Sequence, residues 1–285
     1  MKKKFKIFIL KILKYLTFFK PSILEKLILL EQDNDISKTR ISRYFNNIFF
    51  CYSSDRVMHV LNRFEKNKKI IFDTHHFAER PKTYIDVGAN IGYWSFSRFK
   101  CLNEVEEFFC FDPATLNFKL LMKNFAKKKK FKLIKAAISD TNSLGIISFP
   151  KSETRKNNLG LLSLHGDSNF LKEEIELMTL DKYFKDYFND KKKIYLKIDT
   201  EGNESRVLLG AEKFLRSNNQ IVLEIELNPN LKLSSSNKEN IEQSLKILEL
   251  NKYVPFIYKQ KFIEITYQDI YLNKLQNINF YFKRK

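Results

Sequence analysis

The stretch that decides the fold is residues 84–94, which read YIDVGANIGYW. It opens with a short, mostly apolar run that is typical of a buried strand. Gly88 and Gly92 then bracket a tight turn, and a helix is predicted to begin at Tyr93. Glycine has no side chain, so a ligand can lie directly against the backbone of such a turn. The stretch therefore predicts a strand, a ligand-binding turn and a helix in succession.

The chain beyond this turn continues to alternate between strands and helices. Further strands are predicted over residues 107–111, 131–138, 194–199 and 220–227, and apolar periodicity predicts helices between them. Such alternation implies parallel β-α-β units in a layered α/β domain. After a predicted helix over residues 237–251, three closely spaced strands suggest antiparallel pairing at one sheet edge. Residues 139–176 are less regular, apart from a small strand in LGIISF.

The first eighty residues differ in character from the rest. On a helix, residues 1–20 gather their lysines on one side and their apolar residues on the other. This basic amphipathic helix suits an anionic membrane surface, although its apolar face could equally dock on the protein's own core. Residues 21–80 are mostly helical in pattern, with Ile41, Phe45, Ile48 and Phe49 as an example. We expect a helical N-terminal extension before a domain of residues 81–285.

Composition sets broad limits on the kind of protein. With 285 residues and 44% hydrophobic residues the chain can bury a sizeable core, which excludes a disordered protein. The net charge of +18 invites a nucleic-acid partner, but the lysines are scattered, which favours the codon bias of an AT-rich genome. Cys51, Cys101 and Cys110 form no C-x-x-C pair, so we expect reduced thiols in a cytoplasmic protein.

The glycine turn suggests a particular kind of ligand. It reads Gly88-Ala89-Asn90-Ile91-Gly92 and lacks the Gly-x-Gly-x-x-Gly spacing of dinucleotide sites, which disfavours an NAD-dependent dehydrogenase. Asp86 lies two positions before the turn, where a carboxylate would repel a pyrophosphate but suit a positively charged ligand. S-adenosylmethionine carries both an ammonium and a sulfonium group. The turn therefore favours this cofactor, unless both glycines serve only the turn and its packing.

Asp112 supplies a second carboxylate about twenty residues further on, at the end of the next predicted strand. A carboxylate at this point can accept hydrogen bonds from the two ribose hydroxyls of a nucleoside. Because Pro113 follows it, Asp112 is also a good N-cap with proline at the first helical position. Both interpretations fit the sequence.

Five segments resemble, in order, the signature segments of the FkbM family of S-adenosylmethionine-dependent methyltransferases. They read IDVGANIGYWS, FDP, AAISD, TLD and LKIDTEGNESRVLLGAEKFL, and lie within residues 83–227. The resemblance implies a class I methyltransferase fold, which is Rossmann-like, with a seven-stranded, mostly parallel sheet and an antiparallel C-terminal edge. It also implies O-methylation of a hydroxyl, commonly on a sugar or natural product.

The resemblance also assigns roles to positions of this chain. The methionine part of the cofactor would be held by Asp86, Gly88, Asn90 and Gly92, with Ala89 in the same turn, the ribose by Asp112 and the adenine edge by Asp140. The chain departs from the family at two positions. The family usually has glutamate where Asp112 stands, and often an aromatic residue, histidine or alanine where Asn203 stands.

The candidate catalytic residues follow the predicted strand at 194–199. Asp199 is our first choice to accept the proton of a hydroxyl during in-line methyl transfer, and Glu201 is the second. Asp199 could instead merely cap the next helix, and a Mg²⁺ ion could bridge the two carboxylates, although nothing requires one. Glu204 fits the first turn of a helix. His165, in a polar loop, is an alternative base.

The sequence thus predicts an O-methyltransferase acting on a hydroxyl of a sugar, glycan or glycolipid, cytoplasmic and in peripheral contact with a membrane through residues 1–20. Two alternatives stay open. The positive net charge favours an RNA methyltransferase, although the sequence contains no recognisable RNA-binding module. A non-catalytic binding protein could also keep the same fold as a scaffold.

Overall fold

The computed structural model describes most of the chain beyond its N-terminal part. The described residues are 39–44, 47–52, 68–125, 127–150, 170–187, 192–217, 220–227, 235–272 and 279–284. The amphipathic helix predicted for residues 1–20 lies outside them, as does His165.

Strands and helices alternate along most of the described chain. The strands are β1 (Thr39–Tyr44), β2 (Asn47–Tyr52), β3 (Thr83–Val87), β4 (Glu107–Phe111), β5 (Phe131–Ile134), β6 (Ala137–Ile138), β7 (Ser143–Pro150), β8 (Phe170–Met178), β9 (Ile194–Ile198), β10 (Ile221–Glu226), β11 (Tyr253–Tyr258), β12 (Phe262–Glu264) and β13 (Asn279–Arg284). The helices are α1 (Lys68–Phe77), α2 (Tyr93–Cys101), α3 (Thr115–Phe125), α4 (Leu180–Tyr183), α5 (Glu204–Leu209), α6 (Glu212–Ser217), α7 (Ser235–Leu250) and α8 (Tyr267–Tyr271).

The central sheet has the strand order β12-β11-β13-β10-β9-β3-β4-β5. The five strands from β10 to β5 pair in parallel, whereas β13 pairs antiparallel with both β10 and β11, and β12 antiparallel with β11. The predicted mostly parallel sheet with an antiparallel C-terminal edge is confirmed, and the three-residue β12 adds an eighth strand. The strand order reverses between β3 and β9, which is where open α/β sheets bind ligands.

Apolar side chains cover both faces of this sheet. Along β3, Tyr84 is buried on one face while Ile85 and Val87 are buried on the other, as the two-residue period of a strand requires. Helices α5, α6 and α7 pack on the face of Ile85, and α1, α2 and α3 pack on the face of Tyr84. A strand buried on both sides is mostly apolar, which explains the sequence of β3 apart from Thr83 and Asp86.

The helical prediction for residues 41–49 is wrong, because β1 and β2 form an antiparallel hairpin there. Phe49 and Cys51 are fully buried on alternate positions of β2. The backbone of Phe50 is held by the Asn124 side chain, which accepts its N–H at 2.8 Å and donates to its carbonyl at 3.0 Å. Short apolar runs fit helical and strand periods alike, so contacts distant in sequence decided between them. The helical prediction does hold for α1.

A second, three-stranded sheet with the order β6-β8-β7 corrects two further predictions. The single strand predicted over residues 131–138 is split, since β5 pairs in the central sheet and β6 pairs with β8. Most of β8 falls in residues 139–176, which the sequence predicts to be less regular, and its glutamates are poor strand formers. Its buried Ile175 and Leu177 nevertheless alternate with exposed Glu174 and Glu176. The small strand predicted in LGIISF is confirmed as part of β7.

Candidate active site

A cleft of about 770 Å³, counting the part that opens to solvent, lies where the strand order reverses. Its walls come from the turn after β3, the segment after β4, strand β6 and residues 199–203 after β9. The cleft thus brings together Gly88, Asn90, Asp112, Asp199 and Glu201 among the predicted site residues.

Both glycines of the turn are required by packing inside the protein. Gly88 has φ +80°, and a Cβ there would lie 1.8 Å from the carbonyl oxygen of Asp199. Gly92 has φ +89°, and its Cβ would lie 2.1 Å from a ring carbon of Phe125. Asn90, between them, is also left-handed at φ +53°. The missing side chains therefore let the β3 turn approach the β9 loop and helix α3 closely, which shapes the cleft.

Asp112 ties this turn to the start of α3. Its Oδ2 accepts hydrogen bonds from the backbone N–H of Asn90 at 2.8 Å and from Asn117 Nδ2 at 3.4 Å. Its Oδ1 accepts from the N–H of Ala114 at 3.1 Å. Burial raises the pKa of Asp112 to about 7, although these donors oppose the shift. Since a carboxylate has about four lone-pair sites, one lone pair on Oδ1 remains for a ligand.

Asp86 lies beneath the turn and is 1% exposed. Its Oδ2 accepts a hydrogen bond from the Ser95 hydroxyl at 2.6 Å, and its Oδ1 lies 3.3 Å from Lys197 Nζ. Lys197, on β9, is buried as well, and its Nζ also lies 3.0 Å from Asp199 Oδ2. The structure thus joins two predicted site residues through a lysine that the sequence analysis overlooked. A lysine inside the apolar strand IYLKI was the signal that could have revealed it.

The charges of Asp86, Lys197 and Asp199 stabilise one another. Burial by itself would lower the pKa of Lys197, but the neighbouring Asp199 and Asp86 carboxylates raise it well above its ordinary value. The lysine is therefore held as an ammonium ion, and it fixes Asp199 in the wall of the cleft. The Asp199 side chain is 18% exposed, so it can still meet a ligand.

Glu204 fixes the loop that follows Asp199. Its Oε1 accepts hydrogen bonds from the backbone N–H of Thr200 at 3.0 Å and of Gly202 at 3.2 Å. Its Oε2 accepts from Asn240 Nδ2 at 2.6 Å, which links the loop to α7. Glu204 is the first residue of α5, as predicted. Within this loop Glu201 is exposed and left-handed at φ +53°.

Asp140 lies outside the wall of the cleft. Its Oδ1 accepts a hydrogen bond from the Ser139 hydroxyl at 2.9 Å and lies 3.2 Å from Arg206 Nε. The wall near it is apolar and includes Ala136, Ala137 and Ile138.

Glu226, at the end of β10, belongs to the electrostatic surroundings of Asp199. Burial raises its pKa to about 8, and the nearby charges of Asp199 and Glu201 add to the shift while Lys197 opposes it. Near neutral pH the Glu226 carboxyl therefore holds a proton for much of the time. An acid at the end of a buried strand was the sequence signal for this group.

We expect the free energy of unfolding to fall as the pH rises from 4.5, the ordinary pKa of glutamate, to about 8, the pKa of Glu226 in the folded protein. Below pH 4.5 the Glu226 carboxyl is protonated in the folded and in the unfolded protein alike. Between pH 4.5 and about 8 only the folded protein keeps this proton, so raising the pH through this range favours unfolding. Because Glu226 is still partly solvated, we discount its pKa shift and expect the free energy of unfolding to fall by about 2 kcal/mol. Urea unfolding at several pH values measures it, and Glu226→Gln should show a shallower decline. An equal decline in both proteins would contradict this assignment.

In the described part of the chain, the charged residues that line the cleft are all acidic. Its lining residues there include Asp112, Asp199 and Glu201 and neither lysine nor arginine. Such a wall favours a cationic ligand and disfavours a polyanion. Across the described residues, no group of three or more His, Cys, Asp or Glu side chains could hold a metal ion. None of the described helices combines the length and the apolarity needed to cross a bilayer.

Comparison with known proteins identifies one family. The sequence profile of the methyltransferase FkbM domain matches residues 86–254, which include the glycine turn, Asp112, Asp199 and Glu226. No curated protein matches the chain significantly.

Comparison with solved structures gives matches at low identity. A crystal structure of methyltransferase FkbM from Methylobacillus flagellatus KT is 14% identical, with a TM-score of 0.42, and the match covers 71% of this chain but only 43% of that protein. A SAH-bound methyltransferase from Podospora anserina is 11% identical over 77% of this chain and 78% of its own, with a TM-score of 0.41. TYW2 from M. jannaschii in complex with AdoMet is 10% identical over 88% and 89%, with a TM-score of 0.38.

Proposed function

Since the chain belongs to the FkbM methyltransferase family, which uses S-adenosylmethionine as methyl donor, we propose that it methylates a hydroxyl of a sugar, glycan or glycolipid. The observation that carries the proposal is the cleft, whose described wall holds three carboxylates and no basic side chain. That wall complements a sulfonium donor and a neutral acceptor better than it complements an acceptor rich in phosphates.

The turn of Gly88, Ala89, Asn90 and Gly92 would hold the donor, with Gly88 and Asn90 lining the cleft itself. The remaining lone pair of Asp112 Oδ1 would accept a hydrogen bond from a ribose hydroxyl, and the shorter side chain of aspartate is compatible with this because the carboxylate itself lines the cleft. Asp86 lies beneath the glycine turn and supports the site through its ion pair with Lys197. Asp140 lies outside the described wall, but its side chain is 27% exposed, and it is our proposal for the adenine edge, through Oδ2, because Oδ1 already meets Ser139 and Arg206.

Asp199 accepts the proton of the reacting hydroxyl. When bound, the donor supplies an electrophilic methyl carbon on sulfur, and a sugar hydroxyl is a poor nucleophile without a proton acceptor. Lys197 engages Oδ2 of Asp199, which leaves Oδ1 for the hydroxyl. The ion pair also holds the carboxylate in one position, as an in-line displacement requires. Glu201, exposed beside it, is the second candidate.

Transfer of a labelled methyl group tests the proposed function. The whole chain is incubated with methyl-labelled S-adenosylmethionine and a fractionated extract of the cells that make it. We expect label in the polysaccharide or lipid fraction, bound through an ether linkage that survives mild alkali. Label lost in mild alkali would indicate an ester, and absence of label from every fraction would refute methyl transfer to these acceptors.

RNA is the second candidate acceptor, because the net charge is +18. If RNA takes up the label, its binding should weaken steeply with salt, since phosphate contacts release counterions. Label in the RNA fraction together with such salt dependence would replace the glycan proposal.

We extend the proposal to a cytoplasmic protein that touches the membrane through the basic amphipathic segment of residues 1–20. Sedimentation with vesicles of anionic phospholipid tests this. The whole chain should sediment with them, and a chain without residues 1–20 should stay in solution. Equal sedimentation of the two proteins would refute it.

A further inference from the structure

Asn203 has a buried side chain with an unpaired oxygen. The residue is 6% exposed, and its Nδ2 donates to the carbonyl oxygen of Thr200 at 3.5 Å. At 3.5 Å this contact is weak, and it uses only the donor of the amide, so the acceptor atom is the one left over. Oδ1 has no hydrogen-bond partner among the described residues. Buried polar atoms are nearly always paired, so this atom calls for an explanation.

Helix capping does not explain it. Asn203 is the N-cap of α5, where an asparagine oxygen usually accepts the N–H of the second or third helical residue. Here the side chain makes no capping bond. The N–H of Ser205, the second helical residue, is taken by Asn240 Oδ1 at 2.9 Å. Another residue therefore performs the usual task, and the oxygen of Asn203 remains available.

The location of Asn203 points to a ligand. It lines the cleft together with Asp199, Thr200 and Glu201. The loop that carries it is fixed at both ends, by Glu204 on the backbone of Thr200 and Gly202 and by Lys197 on Asp199. The torsion that turns an asparagine amide is broad, so a ligand can draw Oδ1 toward the cleft at little cost. An amide oxygen only accepts, so the ligand must offer an O–H or N–H.

We propose that Asn203 Oδ1 accepts a hydrogen bond from a second hydroxyl of the methyl acceptor while the reacting hydroxyl meets Asp199. This inference rests on the proposed function and adds a requirement to it, namely that the acceptor is a polyol such as a sugar. Asn203 is a positioning residue, because its contact fixes which hydroxyl lies at Asp199. The other donor that could use this oxygen is the ammonium group of the cofactor, and the experiment separates the two.

The test compares Asn203→Leu, which removes the amide, with Asn203→Asp, which keeps an acceptor oxygen. Methyl transfer is measured on the cell fraction that takes up label, and affinity for S-adenosylmethionine alone is measured by calorimetry. We expect Asn203→Leu to raise the KM for the acceptor about 10–100-fold, with cofactor affinity within about two-fold. The KM of Asn203→Asp for the acceptor should lie much closer to that of the unaltered protein than to that of Asn203→Leu. The exposed Asn103→Leu is a remote control that should change neither quantity.

Three results would overturn the inference. Unchanged KM in Asn203→Leu would mean that the oxygen meets no substrate. A loss of cofactor affinity with unchanged KM would assign the oxygen to the cofactor. If Asn203→Leu does not fold, Asn203→Asp is compared with Asn203→Ala, which lacks the acceptor oxygen. An equally raised KM for the methyl acceptor in these two variants would show that the oxygen does not bind the acceptor. Absence of label with the unaltered protein is different, because it refutes the proposed function itself.

Discussion

Replacing Asp199 by asparagine is expected to lower the kcat of methyl transfer about 10²–10⁴-fold, the usual contribution of a general base. Asparagine keeps the shape of the side chain but cannot accept the hydroxyl proton. Affinity for S-adenosylmethionine should stay within about three-fold, because the contacts that we propose for the cofactor, with Asp112 and the glycine turn, are elsewhere in the cleft. Steady-state kinetics on the labelled cell fraction and calorimetry with the cofactor measure the two effects separately.

Glu201→Gln is the matched variant, since it neutralises a carboxylate in the same loop. Glu201 is exposed, whereas Asp199 is held by Lys197 at 3.0 Å, so we expect less than about a ten-fold loss from Glu201→Gln. Full activity in Asp199→Asn would show that Asp199 is not the proton acceptor. A larger loss in Glu201→Gln than in Asp199→Asn would exchange the two roles.

Replacing Lys197 by methionine is expected to lower the free energy of unfolding by about 3–5 kcal/mol, the usual cost of removing one partner from a buried ion pair. Lys197 is the cation between Asp86 and Asp199, and Asp86 is 1% exposed, so its carboxylate would be left buried and unpaired. Urea unfolding at neutral pH measures the effect. Cofactor affinity should weaken as well, because the β3 turn and the β9 loop lose the link between them.

Lys193→Met is the control for this substitution. Lys193 forms an ion pair with Glu79 at 3.2 Å, but its side chain is 42% exposed and that of Glu79 is 54% exposed. Such surface pairs contribute at most about 1 kcal/mol, so Lys193→Met should be nearly neutral. Adding Asp86→Asn to Lys197→Met should recover part of the loss. Equal effects of the two lysine substitutions would mean that the Lys197 ion pair does not organise the site.

Strands β3, β4 and β9 could be located in the sequence because they are buried on both faces of the sheet. Runs such as TYIDV, EFFCF and IYLKI are short and mostly apolar, and turn residues or helical periods separate them. The FkbM signature segments lie on these strands and their turns, and the family profile confirms the resemblance. The fold and the family therefore followed from local patterns.

Features that depend on distant contacts could not be predicted in this way. The β1–β2 hairpin has apolar residues that also fit a helix, and its pairing with Asn124 lies 74 positions away in sequence. Strand β8 carries glutamates that disfavour a strand, yet Ile175 and Leu177 anchor it.

The same limit applies to the site. Asp112 and Asp199 are found in the wall of the cleft, but Asp86 lies beneath it and pairs with Lys197. Whether a carboxylate near a turn faces a ligand or a buried lysine depends on the neighbouring strand. Residue spacing along the chain does not reveal that neighbour, so the pairing of Asp86 could only be seen in three dimensions.

A crystal structure of the protein soaked with S-adenosylmethionine tests the central claim most directly. We predict density for the nucleoside in the cleft, with a ribose hydroxyl within hydrogen-bond distance of Asp112 Oδ1 and the sulfonium methyl facing Asp199. Density for the nucleoside at another place, or none at a concentration at which calorimetry detects binding, would contradict the account.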